Sequence, residues 1–175
     1  MSELIQVGGL CDVKSIDLSS SLAWTEVSVP ETLIIPDVKP DIEGVDAIDV
    51  AAQIVKTKVI VTPQSLIPNQ EGKNLTGRKL IVEGLLCQTI NYTANECTQS
   101  VHSAHFAVPF SAYIVIPKTI IINGQPVDSL DINFQVIPCI EDVFIKTITP
   151  RKIFKNVTLL LQAVPASKDF CSNEC

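Results

Sequence analysis

Cysteine is the residue type with the most chemistry to offer in this chain, which carries six of them. Cys11 lies near the N-terminus, Cys171 and Cys175 lie at the C-terminal end, and Cys87, Cys97 and Cys139 fall in the apolar middle. No CxxC occurs, so the paired knuckles of a structural zinc site are absent. A thiol on a terminal arm constrains little of a domain's own unfolded state, but it reaches a neighbouring molecule easily. Cys11, Cys171 and Cys175 are therefore expected to link one subunit to the next. The competing expectation joins Cys11 to the tail within one chain, or leaves all three reduced. Cys87 and Cys97 flank a turn expected at Thr93-Ala94-Asn95 and could face each other across a hairpin, within the strict geometry of a disulfide. With Cys139 they are expected to be an intradomain disulfide or core thiols.

Other constellations offer less. His102 and His105 stand beside the strongest strand-like segment, and residues three apart on a strand face opposite sides. They would converge only on a turn, and a hairpin connection is the expected setting. Asp41, Glu43, Asp46 and Asp49 cluster, but acid–base chemistry needs carboxylates made unequal by burial. Pro36, Pro40 and Gly44 nearby point instead to an exposed acidic loop, with Asp41 to Ala47 as the only stretch able to make a turn or two of helix. The ligand spacing of a calcium loop is missing. No nucleophile elbow, zinc-protease motif, phosphate loop or dinucleotide fingerprint occurs. No catalytic residue, metal site or cofactor is expected.

The elements that must position these residues read as strands. The chain is 46% hydrophobic and 18% charged, a balance that buries a core. Val, Ile and Leu dominate and suit a pleated surface, while 11 prolines argue against long helices. A net charge of −6 with dispersed basic residues argues against nucleic acid. No stretch approaches the roughly 20 apolar residues that span a bilayer, so no membrane partner is expected. The first nine residues lack the basic and apolar regions of a signal peptide, which predicts synthesis in the cytoplasm.

Residues 1–20 look like a flexible arm, within which Leu4, Ile5, Gln6 and Val7 form a short apolar segment suited to donation as a strand to a neighbour. Strands are expected over Leu22 to Val29, Thr32 to Ile35, Val50 to Thr62 and Lys79 to Tyr92, with a bulge or bend at Gly84. The clearest lies over Phe106 to Ile116, where alternate residues are apolar with a period of two. A tight turn follows at Asn123-Gly124, then strands over Ile132 to Ile140 and Ile153 to Ala163. Residues 166–175 form a cysteine-bearing tail. The expected fold is all-β: a single antiparallel β-sandwich or jelly-roll-like domain over residues 21–165, between flexible N- and C-terminal arms.

Several segments carry a resemblance. Leu80-Ile81-Val82-Glu83-Gly84, then Ile90-Asn91-Tyr92-Thr93-Ala94, then Gln99 to Phe110 resemble the SPOCS domain family of clostridial-type spore-formers, and Pro36-Asp37-Val38-Lys39-Pro40-Asp41-Ile42-Glu43 is similar to its P-x-x-K-P-D-I-E element. The resemblance covers about residues 22–163. It implies a role in building the spore envelope through protein–protein contacts, and no enzymatic activity. A protein made in the mother cell needs no signal peptide and meets oxidising surroundings once that cell lyses, which fits the cysteine count. The expectation is a homopolymer, a fibre or layer of the spore surface (coat, exosporium or appendage), possible further partners being other coat or exosporium proteins. The alternative is an adaptor that binds one coat protein without polymerising. A carbohydrate-binding sandwich has a thin supply of aromatics in Trp24, Tyr92 and Tyr113.

Overall fold

A computed structural model describes residues 5–12, 14, 16–70 and 72–166. Leu4, Cys171 and Cys175 lie outside the described residues. The strands in chain order are β1 (Gln6–Gly8), β2 (Ala23–Ile34), β3 (Ile42–Gln64), β4 (Thr76–Ala94), β5 (Val101–Val115), β6 (Thr119–Ile122), β7 (Gln125–Asp128), β8 (Phe134–Thr149) and β9 (Lys152–Pro165). Leu18–Ser20 and Ser129–Asp131 are short 3-10 turns between them.

The all-β sandwich expected from the alternating pattern is the fold observed. One sheet runs β1-β3-β4-β5 and the other β2-β9-β8, with β6-β7 as a separate hairpin. Along β4 every even residue from Leu80 to Tyr92 is buried, while its odd residues are half-buried or exposed. That period of two aims one face at the other sheet. Ile114 and Phe110 of β5 and Ile153, Val157, Leu159 and Leu161 of β9 meet that face in one continuous core. β9 is paired on both sides, which explains its apolar character on both faces near its end. Pro30, Pro109 and Pro138 sit in β2, β5 and β8. All three strands end their sheets, where a missing N–H costs no ladder bond.

Three expectations are corrected. β2 runs unbroken through Pro30, where two strands were expected. Asp41 to Asp49 is neither helical nor an acidic loop: β3 begins at Ile42 and pairs with β4 from Ile42↔Ala94 onward. Finally, β1 runs parallel to β3, so the pairing is not wholly antiparallel. At Gly84 the irregularity lies on the partner strand, between Ile54 and Lys56. Gly84 itself makes room for its cross-strand partner Phe110, since a Cβ there would stand 2.4 Å from the ring and 2.8 Å from the Gln53 carbonyl oxygen.

Arg151, in the turn between β8 and β9, organises the segment that precedes β3. Its guanidinium donates to the carbonyls of Ile35, Pro36 and Lys39 and to the Asp41 carboxylate. Tyr92, wholly buried, donates its hydroxyl to the Pro40 carbonyl at 3.1 Å. Burial raises the Tyr92 pKa above 10.0, with Asp41 and Glu96 adding to the rise and Arg151 opposing it. The folded form therefore holds its proton at a pH where the unfolded chain loses it. Stability from this group is complete below the unfolded value and falls as pH rises through the folded one. In a Tyr113→Phe variant, absorbance titration of the remaining tyrosine is expected to midpoint above that of the urea-unfolded chain. Coincident midpoints would contradict a buried, hydrogen-bonded phenol.

Candidate functional site: a strapped arm and two exposed thiols

The N-terminal arm is anchored to its own domain. Gln6, Val7 and Gly8 pair with Ala47, Ile48 and Asp49 of β3. Gly9 then turns with φ +88, and a Cβ there would lie 1.9 Å from the Val50 carbonyl oxygen, so only glycine lets the chain leave the sheet at this point. Two residues on, the Cys11 N–H donates to the Ile140 carbonyl at 2.9 Å, and Cys11 is disulfide-bonded to Cys139 with Cα atoms 5.5 Å apart. The arm rejoins the other sheet through Ser21, whose hydroxyl donates to Gln162 Oε1 at 3.0 Å, and through the Leu22 N–H to the Ala163 carbonyl.

This path leaves a mark on burial. Leu160 and Gln162 alternate out of phase with the core residues Leu159, Leu161 and Ala163, yet they are only 3% and 7% exposed. Cys139 is the cross-strand partner of Leu160. The arm thus crosses the outer face of β8 and β9 like a strap, from the edge of one sheet to the edge of the other.

Two cysteine expectations are overturned by this geometry. Cys11 is not available to a neighbouring subunit, because Cys139 of the same chain holds it. The segment expected as a donor strand does extend a sheet edge, but the edge belongs to its own chain: Gln6 and Val7 lie in β1, with Ile5 packed against the core just before it. Cys87 and Cys97 are not partnered with each other, and neither is a core thiol. Both are free and exposed. Cys87 stands on the outer face of β4 between Ala51 of β3 and Ala107 of β5, and Cys97 lies in the connection from β4 to β5.

The small alanine side chains leave Cys87 at the floor of a shallow depression of about 570 Å³, bordered by Asp49, Thr89 and His105. Asp49, Thr89 and His105 form one cross-strand row. The Thr89 hydroxyl and His105 Nδ1 are 3.0 Å apart, so that ring nitrogen is engaged by threonine. His102 faces the opposite side of β5, stacked on Tyr92 at 5.9 Å between ring centroids and 3.0 Å from the Ser100 hydroxyl. The histidines do not converge.

Of the four clustered carboxylates, Asp41 lies just ahead of β3 and Glu43, Asp46 and Asp49 are spread along it. Asp41 pairs with Arg151, Glu43 accepts from Gln99, and Asp46 accepts from Thr93. Among the described residues no group of three or more His, Cys, Asp or Glu side chains is placed to hold a metal ion. Nor is any helix long and apolar enough to cross a membrane. The strap escaped sequence reasoning because Cys11 and Cys139 are 128 residues apart. The only local signal was Gly8-Gly9, a glycine pair just ahead of the first cysteine.

Residues 41–143 match a family model described as SipL, SPOCS domain. The match opens at β3 and closes within β8, so Cys87, Cys97 and Cys139 fall inside it while Cys11 and the strap fall outside. No curated protein and no solved structure matches the chain.

Proposed function

Because the chain belongs to the SipL SPOCS-domain family and has a role related to sporulation, we propose that it is a structural subunit, not an enzyme, that self-assembles into a fibre or layer of the spore surface locked by disulfides between subunits. The observation that carries this reading is the pair of exposed, unpaired thiols, Cys87 and Cys97, on a sandwich whose arm cysteine is already committed internally. Cys171 and Cys175 are the natural partners for them on an adjoining copy. Cys11 takes no part in the cross-linking. Synthesis in the mother cell followed by oxidation at the spore surface gives the order of events: docking first, covalent locking second. Other coat or exosporium proteins carrying accessible thiols are further partners.

Non-reducing against reducing electrophoresis, with negative-stain microscopy of the same sample, tests the proposal. A ladder that collapses on reduction, together with filaments or sheets, is the expected result. Cys87→Ser with Cys97→Ser is expected to erase the ladder, and Cys11→Ser to leave it. Monomer in both lanes and an empty grid would defeat self-assembly. That outcome favours the second reading, an adaptor that binds one coat protein. The internally docked arm supports the adaptor, because Gln6–Gly8, already paired to their own β3, are not free to be donated to a neighbour.

A further inference from the structure

Three polar side chains meet inside the sandwich, where an apolar core would be expected. Glu31 of β2 and Lys155 of β9 are direct cross-strand partners, and Gln88 reaches them from β4 in the opposite sheet. Lys155 Nζ lies 2.6 Å from Glu31 Oε2, and Gln88 Nε2 donates to that same oxygen at 3.3 Å. Lys155 is 0% exposed and Gln88 3%, and the Glu31 side chain is 10% exposed. The cluster is poorly satisfied. Glu31 Oε1 and Gln88 Oε1 have no hydrogen-bond partner, and Nζ makes its ion pair without hydrogen-bond alignment. Buried polar groups are normally paired, and a buried ion pair is generally no more stabilising than apolar residues of the same volume. Stability alone does not explain the arrangement.

We propose that Lys155 and Gln88 become joined by an intramolecular isopeptide bond, with Glu31 carrying the protons. Both nitrogens stand on one carboxylate oxygen, Glu31 Oε2, which gives amine and amide a shared base. Burial lowers the Lys155 pKa, against the opposing pull of Glu31, and so favours the neutral amine that can act as nucleophile. Lys155 hands a proton to Glu31, and its lone pair forms the new bond to Gln88 Cδ. The bond from Cδ to Nε2 then breaks. The two protons shed by the lysine ammonium pass through Glu31 to the departing nitrogen, which leaves as ammonium, and Glu31 returns to carboxylate. No oxidant or second reactant is required. The product ties β9 to β4, and therefore one sheet to the other, through the middle of the core.

Intact-mass measurement of the full chain, denatured and fully reduced, decides the matter. The expected mass is lower than the sequence mass by one ammonia, and proteolysis is expected to yield a branched species joining the Lys155 and Gln88 peptides. Glu31→Gln and Lys155→Arg are each expected to restore the full sequence mass. A wild-type chain at full mass overturns the proposal, whether or not the variants fold. So does an ammonia loss mapped to another residue. Loss of one water, mapped to Lys155 and Glu31, would overturn the assignment of Gln88 as the acyl partner.

Discussion

Reducing the Cys11–Cys139 bond, or replacing Cys11 by serine, is expected to lower the unfolding free energy by roughly 4–5 kcal/mol, the loss the loop-entropy relation gives for a closed loop of about a hundred residues or more. The bond spans 128 residues, so it restricts most of the unfolded chain. Its loss also frees the strap from Cys139, the cross-strand partner of the buried, outward-facing Leu160, and loosens the arm whose Ser21 bonds Gln162. Urea denaturation with and without reductant measures the effect. The transition should move to lower urea, and the reduced form should show a changed slope as its denatured state expands. A loss below about 1 kcal/mol would mean that β1 and the Ser21–Gln162 contact hold the arm unaided, since ordinary surface substitutions cost about half that at most.

The second large effect belongs to the buried charges, read in a Gln88→Leu background in which the Lys155–Gln88 bond cannot form. There Lys155→Met removes the cation and leaves Glu31 unpaired in the core, and breaking one side of such a pair costs roughly 3–5 kcal/mol. Glu31→Leu combined with Lys155→Met removes both charges. It is expected to recover most of that loss, because two apolar side chains satisfy the site without desolvating an ion. Thermal or urea denaturation of the two single variants and the double variant gives the coupling directly. Additive losses would show that the two residues do not interact in the folded chain.

Much of this architecture was legible because a strand paired on one face betrays itself by parity. Phe106, Val108, Phe110, Ala112 and Ile114 alternate without interruption, and β5 lies where they do. The start of β3 was misread for an equally physical reason. Its register shifts between Ile42 and Gly44 and again between Val45 and Ala47, so the buried residues Ile42, Val45 and Ile48 fall three apart. That spacing imitates a helical turn, and the carboxylates between them imitate a solvated loop. Lys155 was in plain view, flanked by Ile153 and Val157 on the inward face of β9, but a lysine at an inward position reveals nothing about its partner. Glu31 and Gln88 come from distant parts of the chain, and only the fold brings them to it. The organising role of Arg151 on the Pro36 to Asp41 segment was hidden in the same way.

The strap also determines how the molecule would carry mechanical load. A pull between the N-terminal end and the C-terminal tail runs through β1 to Cys11 and there passes through the sulfur bridge straight to Cys139. Everything between those residues is excluded from the line of tension. At roughly 3.4 Å of contour per residue, on the order of 400 Å of chain is unable to pay out. Only the short β1 ahead of Cys11, the greater part of β8 beyond Cys139, and β9 remain in series, and β9 lies between two antiparallel neighbours with a ladder of hydrogen bonds on each side. Those ladders would have to slide together before the strand moved, so a molecule built from long, pliable sheets behaves under tension as a short, nearly inextensible link.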